Sequence, residues 1–301
     1  LHDLWMGRID HLLSGRSIAE RAAIELAALL GRRVDRTEWE AVCERVGIAR
    51  PTYIVDDMLL QDLAERHADG WGFVHGMLAE SLVRHAREAG RLADHRRICA
   101  AVLWAQGVVL QNQGRPRQAE APLRRGLNYA DAYPETAKIH ELLAWVLTEQ
   151  GRLDEPLRHF DIALRGHLAA GEDRPAADIL TKLGILYANH GHLEQARDYH
   201  ERSLEKHRQV DNLRAAGHCL ANLGMLDMKQ GRMASAQNHY DQATEVVRAV
   251  GDRRTESHLL CNLAILNATT GRQVEALAYF DAALLSIREI GNRRFEAIAL
   301  C

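Results

Sequence analysis

Sixteen histidines and five cysteines are the side chains of this 301-residue chain with the widest chemical reach. The tightest histidine pair, His190-Gly-His192, offers two of the roughly four ligands that zinc takes. His200 and His207 follow on the next helical pattern. Two ligands in a turn do not hold the ion, so His190 and His192 are expected to be solvated turn histidines. His75 stands beside a short aromatic run and reads as a packing or hydrogen-bonding residue rather than a base. Cys43, Cys99, Cys219, Cys261 and Cys301 are widely spaced, odd in number and without a Cys-x-x-Cys pair. That pattern fits reduced thiols in a cytoplasmic protein. Stacked helix pairs would hold Cys261 and Cys301 on the order of 20 Å apart, whereas a disulfide tolerates a Cα separation of about 7 Å. The carboxylates are expected on solvated helix faces. No Ser-His-Asp, Cys-His or paired-carboxylate constellation stands out. The chain therefore reads as non-catalytic, with no metal site and no cofactor.

The elements that position these residues follow from composition and repetition. The chain is 47% hydrophobic and 26% charged, enough to bury a core. Its net charge of −3 lacks the cationic excess of a general nucleic-acid binder. Proline is rare, and none follows Pro175. The longest uncharged stretch, Ile98 to Gly114, carries Gln106, Gln111, Asn112 and Gln113 and is too short to cross a membrane. No signal peptide is visible. The chain begins at Leu1 rather than Met and reads as a piece of a longer protein.

Gly151-Arg-Leu-Asp-Glu-Pro156, Gly191-His-Leu-Glu-Gln-Ala196, Gly231-Arg-Met-Ala-Ser-Ala236 and Gly271-Arg-Gln-Val-Glu-Ala276 recur every 40 residues, and Gly114-Arg-Pro-Arg-Gln-Ala119 precedes them by 37. Gly171, Asp211, Gly251 and Gly291 keep the same beat. Each period holds two helical patterns, such as Leu220, Leu223, Gly224, Leu226 and then Ala236, Tyr240, Ala243. Glycine after the first pattern suits a left-handed turn. Gly251-Asp252 and Gly291-Asn292 combine a helix stop with an N-cap. The unit is an antiparallel helix pair, and stacked pairs bury a continuous core. Gly107, Ala144, Gly184, Gly224 and Ala264 sit mid-helix, where glycine costs roughly 1 kcal/mol relative to alanine. Leu123, Phe160, His200, Tyr240 and Phe280, sixteen residues later, are the expected wedges against them.

This pattern resembles the tetratricopeptide repeat in a long, 40-residue form, over about Asp94 to Cys301. Similar long repeats occur in Leu-Gly-Asn-type adaptors and in bacterial regulators. Asn222-Leu-Gly224 and Asn262-Leu-Ala264 carry the resemblance, but Met225 and Ile265 stand where the adaptor motif has a second Asn. Adaptor-style contacts through that Asn do not carry over. The resemblance implies a right-handed superhelix, an α-solenoid, with the first helices lining a concave face. One residue past each small position lies Val108, Trp145, Ile185, Met225 or Ile265, an apolar row. Two residues before it lies Ala105, Leu142, Lys182, Asn222 or Asn262, with Trp104 and Met228 alongside. An apolar stripe with a polar margin suits an amphipathic helix or extended peptide. The competing reading is that curvature buries the stripe against itself.

Residues 1–93 do not share the period. Ser17-Ile-Ala-Glu20 and Thr37-Glu-Trp-Glu40 read as capping boxes. A third helix is expected over Thr52 to His67, a β-hairpin around Ala68 to His75, and a helix over Gly76 to Glu88. Helices followed by a small hairpin suggest a winged-helix-like module. Trp71 to Leu82, His95-Arg-Arg-Ile98 and Leu26 to Val34 resemble the segment between the nucleotide-binding core and the repeat sensor of STAND-type signalling NTPases. That resemblance implies an ATPase upstream of Leu1, since no Gly-x-x-x-x-Gly-Lys-Ser/Thr is present here. Arg50 to Asp69 holds Arg50 and Arg66 against five carboxylates, which phosphate would oppose.

The sequence thus predicts an all-α protein: a mostly helical, winged-helix-like module over 1–93 and a repeat array over 94–301. The repeats span about 94–130, 135–170, 174–210, 214–250 and 254–290, with a sixth starting at 294. The function expected is protein or peptide binding as a sensor or scaffold in a larger signalling regulator, with no nucleic-acid or membrane partner. The alternatives are self-association through the C-terminal repeat, and a regulatory region of a transcription regulator, kinase or protease.

Overall fold

The computed structural model describes residues 2–48, 51–131 and 134–290. The expected Gly291-Asn292 turn, the sixth repeat from 294 and Cys301 lie outside them, as does Arg50. The chain divides into two compact units, Leu1–Arg152 and Leu153–Cys301.

The first unit opens with α1 (His2–Leu13) and α2 (Ile18–Leu30). Ser17 caps α2 in the expected box: its Oγ accepts from Glu20 N at 3.2 Å, and Glu20 Oε2 accepts from Ser17 N at 2.8 Å. The second expected box is corrected. Helix α3 (Arg36–Arg45) is capped by Asp35, whose carboxylate accepts from Thr37 N and Glu38 N at 2.9 and 3.0 Å. Thr37 lies inside the helix because Asp35, ending β1 (Arg33–Asp35), reaches both orphan N–H groups first.

Helix α4 covers Thr52–Leu60 and stops short of the expected His67. Asp62 adopts φ 53°, reversing the chain, and Ala64–His67 extends as β2. It pairs antiparallel with β3 (Gly70–Phe73), which also pairs antiparallel with β1, giving the sheet order β1-β3-β2. The hairpin expected around Ala68 to His75 is shifted: its second strand falls there, its first lies where the helix was expected, and a third strand joins from before α3. Gly70 is fixed by space: a Cβ there would stand 2.1 Å from Val34 O. Trp39, Trp71 and Phe73 pack edge to face at 5.1 Å in the core beneath. Helix α5 (Gly76–Glu88) matches its expected span.

Helices α6 (Leu92–Asn112), α7 (Pro116–Leu127) and α8 (Glu135–Glu149) complete this unit. Cys99 and Val102 of α6 join the core of the preceding helices. A buried carboxylate ties the same elements together, against the expectation that carboxylates stay on solvated faces. Glu25 on α2 accepts from Arg91 Nε and NH2 at 3.0 and 2.6 Å, from His95 Nε2 at 2.7 Å and from His85 Nδ1 at 2.9 Å. Burial pushes its pKa up, but the donors from His95, Arg91 and His85 outweigh burial and hold it at about 2.

The second unit holds α9 (Asp154–Ala169), α10 (Asp173–Asn189), α11 (Leu193–Gln209), α12 (Leu213–Lys229), α13 (Met233–Ala249), α14 (Arg253–Thr269) and α15 (Gln273–Ile290). Pairs α10/α11, α12/α13 and α14/α15 pack within each period. The turns follow the reading: Gly191, Gly231 and Gly271 have φ 74–80°, and Asp252 caps α14 by accepting from Thr255 N at 3.2 Å. Among the described residues no helix is long and apolar enough to cross a membrane.

The small mid-helix residues do what their spacing implies. A Cβ on Gly107 would lie 2.6 Å from Leu123 Cδ2, on Gly184 2.5 Å from His200 Cε1, and on Gly224 2.6 Å from Tyr240 Cε1. Gly224→Ala should therefore lower stability by about 1–3 kcal/mol through overpacking, although alanine favours an isolated helix by roughly 1 kcal/mol. Urea unfolding measures this, and an unchanged or raised midpoint would show that Tyr240 yields without cost.

Candidate functional site

The apolar row is placed on the first helix of each pair. In the second unit, α12 packs against both α10 and α14. These three helices carry Ile185, half-buried, and Met225 and Ile265, which are 39% and 47% exposed. Large apolar side chains left open to water at one repeating register mark a surface able to take a partner. One turn earlier, Lys182, Asn222 and Asn262 are half-buried and form the polar margin. Met228 lies deeper: it packs on the core around Leu223 and Tyr240, and Tyr240 donates its hydroxyl to Met228 Sδ at 3.3 Å.

In the first unit α6 packs against α8, with Val108 and Trp145 half-buried on them. Ala105 and Leu142 of the second row are half-buried too, and Leu142 packs on the core of α6, α7 and α8. Trp104 packs on the same core, and the Lys138 ammonium stands 5.9 Å from its ring centroid.

His190, His192, His200 and His207 are each engaged in local contacts. His190 Nδ1 lies 2.9 Å from Leu186 O, and the His192 ring stands edge-on to Tyr187 at 6.0 Å. His200 is buried against Gly184 and His207 is buried near Thr181. Among the described residues no group of three or more His, Cys, Asp or Glu is placed to hold a metal ion. Cys43, Cys99, Cys219 and Cys261 are free thiols, and burial raises the pKa of each, to about 12 for Cys43 and Cys99.

Two features escaped the sequence reading. Asp227 is fully buried on α12 and collects Arg197, Arg232 Nε at 3.0 Å, Ser235 Oγ at 2.6 Å and His239 Nδ1 at 2.7 Å. Burial pushes its pKa up, and the donors from Ser235, Arg197 and His239 bring it below the usual carboxylate range. The signal was available: position 227 is in register with Leu147, Tyr187 and Asn267, so a charge falls where the other repeats carry none. The second is a cleft of about 680 Å³ between α3, α4 and the β2-β3 hairpin, where Arg36 pairs with Glu40 at 2.9 Å and Arg66 with Asp56 at 2.6 Å. Helix α4 itself carries Asp56 and Asp57 and no basic residue.

Burial holds His200 well below the usual histidine range, at about 4. The unfolded chain, with its histidine near 6.5, then takes up the proton first. Stability is complete above pH 6.5 and falls as pH drops toward 4. His207 is lowered by burial as well and adds to the same trend. Thermal melts should show Tm declining from pH 7 to pH 5, and His200→Tyr, the residue at this register in the next repeat, should flatten that decline. An equal slope in the variant would remove His200 as its source.

A tetratricopeptide repeat family model matches residues 135–209 and 217–285. No curated protein sequence matches the chain. Among solved structures it is similar to BtubC from P. vanneervenii, with TM-score 0.54 and 21% identity, covering 69% of this chain and 86% of that one. It is also similar to a signal transduction ATPase with numerous domains (STAND) protein with a tetratricopeptide repeat sensor from Pyrococcus horikoshii. There the TM-score is 0.57 and the identity 14%, covering 94% of this chain and 53% of that one, so this chain spans about half its length. Aspartyl phosphate phosphatase F from Bacillus subtilis gives TM-score 0.64 at 10% identity, covering 93% and 76%. At these identities the likeness is one of fold. Residues 135–209 and 217–285 are thus tetratricopeptide repeats, set in an all-α architecture of paired helices.

Proposed function

We propose that the chain is the protein- or peptide-binding region of a larger signalling regulator, acting without catalysis of its own. The observation that carries this reading is the register of Ile185, Met225 and Ile265 on neighbouring first helices, with Met225 and Ile265 open to solvent beside Lys182, Asn222 and Asn262. Exposed apolar side chains with a polar margin fit an amphipathic helix or an extended peptide. Methionine adapts to such a contact. Val108 and Trp145 offer the same register on α6 and α8, with Trp104 beside them. Residues 1–93 serve as a winged-helix-like linker to upstream domains, and residues 94–301 as the sensor array. The STAND protein with a tetratricopeptide repeat sensor supports this arrangement as a precedent in fold. Ligand binding to the array would then shift an upstream effector between states.

Peptides selected against the chain from a displayed library test this. Met225→Glu and Trp145→Asp should each weaken the selected peptides at least about tenfold, the effect of losing a central apolar anchor, with helicity and Tm nearly unchanged. Unfolding of both variants would make the row core and end the reading.

A second reading, self-association, draws on α15. Val274, Leu277 and Leu285 are exposed there, where α11 carries Glu194, Arg197 and Glu205 and α13 carries Ala234, Gln237 and Glu245. An apolar face replacing a charged one suits a protein contact. Light scattering should then show mass rising with concentration and falling back in Leu277→Glu/Leu285→Glu; a constant monomer mass would exclude it.

A further inference from the structure

A cleft of about 300 Å³ lies between α3 and α6. Its walls are apolar where Ala41, Val102 and Val109 meet, and Val109, 53% exposed, stands at its edge. Two acceptors without a donor belong to residues that line it: Glu38 Oε2 and Gln106 Oε1, both buried. Glu38 is only 7% exposed, and its other oxygen already accepts from Arg125 at 2.6 Å. A buried acceptor left unpaired costs on the order of 1–3 kcal/mol, and more for a charged one. Two such oxygens on residues that line one small cleft call for a ligand that donates.

The surroundings narrow that ligand. Both groups accept, so the ligand must carry at least two N–H or O–H bonds. One acceptor is a carboxylate, which favours a charged donor. Asp35, Glu38 and Glu44 stand against Arg45 and Arg125, a surplus of one negative charge, and Arg125 couples electrostatically to both Asp35 and Glu38. Glu44 lies in the last turn of α3, where the helix dipole also favours a cation. The apolar walls accept a methylene chain, as the stems of long cationic side chains commonly do. The volume sits at the lower end of small-ligand sites.

We propose that this cleft binds a primary ammonium group on an aliphatic stem, with Glu38 Oε2 and Gln106 Oε1 accepting its hydrogen bonds. The stem and ammonium belong to a lysine side chain of a polypeptide or to a free alkylamine; the chemistry is the same. The site lies in the first unit and does not rest on the row of α10, α12 and α14.

Titration of the whole chain with n-butylamine hydrochloride at pH 7, followed by the methyl resonances of Val102 and Val109, reads the binding directly. n-Butanol is the neutral comparison. Saturable shifts are expected with the amine, with the alcohol weaker by about tenfold, the effect of a charged hydrogen bond. Gln106→Leu, which keeps the bulk and removes the acceptor, should weaken the amine by a similar factor without moving Tm, and Glu44→Gln should weaken it less. Equal shifts with amine and alcohol, or amine binding unchanged in Gln106→Leu, would overturn the proposal and leave an apolar cleft with hydrated acceptors. Comparing Nα-acetyl-lysine methylamide with 1,5-diaminopentane identifies the source, since tighter binding of the first points to a polypeptide and of the second to a free amine. Because Met225→Glu leaves this cleft intact, loss of peptide capture there and loss of amine binding in Gln106→Leu are separate results.

Discussion

The close approach of two helices at one small residue governs the repeated part of this protein. Gly107, Gly184 and Gly224 each face a side chain sixteen residues on, and a methyl group at any of them would overlap it by an ångström or so. That contact sets the distance and rotation of the pair. It fixes which residues of the first helix turn inward and which remain outside, and the residue following each small position falls on the side left open. The exposure of Met225 and Ile265 is therefore a consequence of how Gly224 and Ala264 pack, since a residue one step along a helix turns about 100° away from its neighbour.

Two buried carboxylates perform a different task. Glu25 joins α2, α5 and the start of α6, and Asp227 joins α11, α12 and the turn into α13. In each case several donors compensate the desolvation of one charge, and the geometry demands all of them at once. Such clusters specify how elements meet more than they add stability. Through Glu25 and the shared core at Cys99 and Val102, the N-terminal helices and the first helix of the array are one packed body within the first unit. Elements packed this way move together, so a displacement of α6 is carried to α2 and α5 rather than absorbed between them.

The histidines carry the same lesson about context. His200 occupies the wedge position that leucine or tyrosine takes in other repeats, and its polar ring is held neutral by burial. Its type alone made it a metal-ligand candidate; its register made it core. The thiols behave alike, raised in pKa by burial and remote from one another in role.

The 40-residue period, the left-handed turn glycines and the small-residue wedges were all legible in the sequence, because each is a local requirement that recurs and is met by neighbours in the chain. So were the strand at Gly70 and the helix at Gly76. The cap of α3 is Asp35 rather than Thr37 because the helix starts two residues earlier than the Thr37–Glu40 pattern implies, and the path of β1 into α3 sets that start. The end of α4 was missed because β2 owes its extension to pairing with β3 rather than to its own residues. The destinations of Glu25, Glu38 and Asp227 depend on donors tens of residues distant, and no spacing rule encodes them. What recurs along the chain was fixed by sequence alone; what satisfies a buried charge was settled by tertiary structure, because an ion's environment is assembled from elements that meet only after folding.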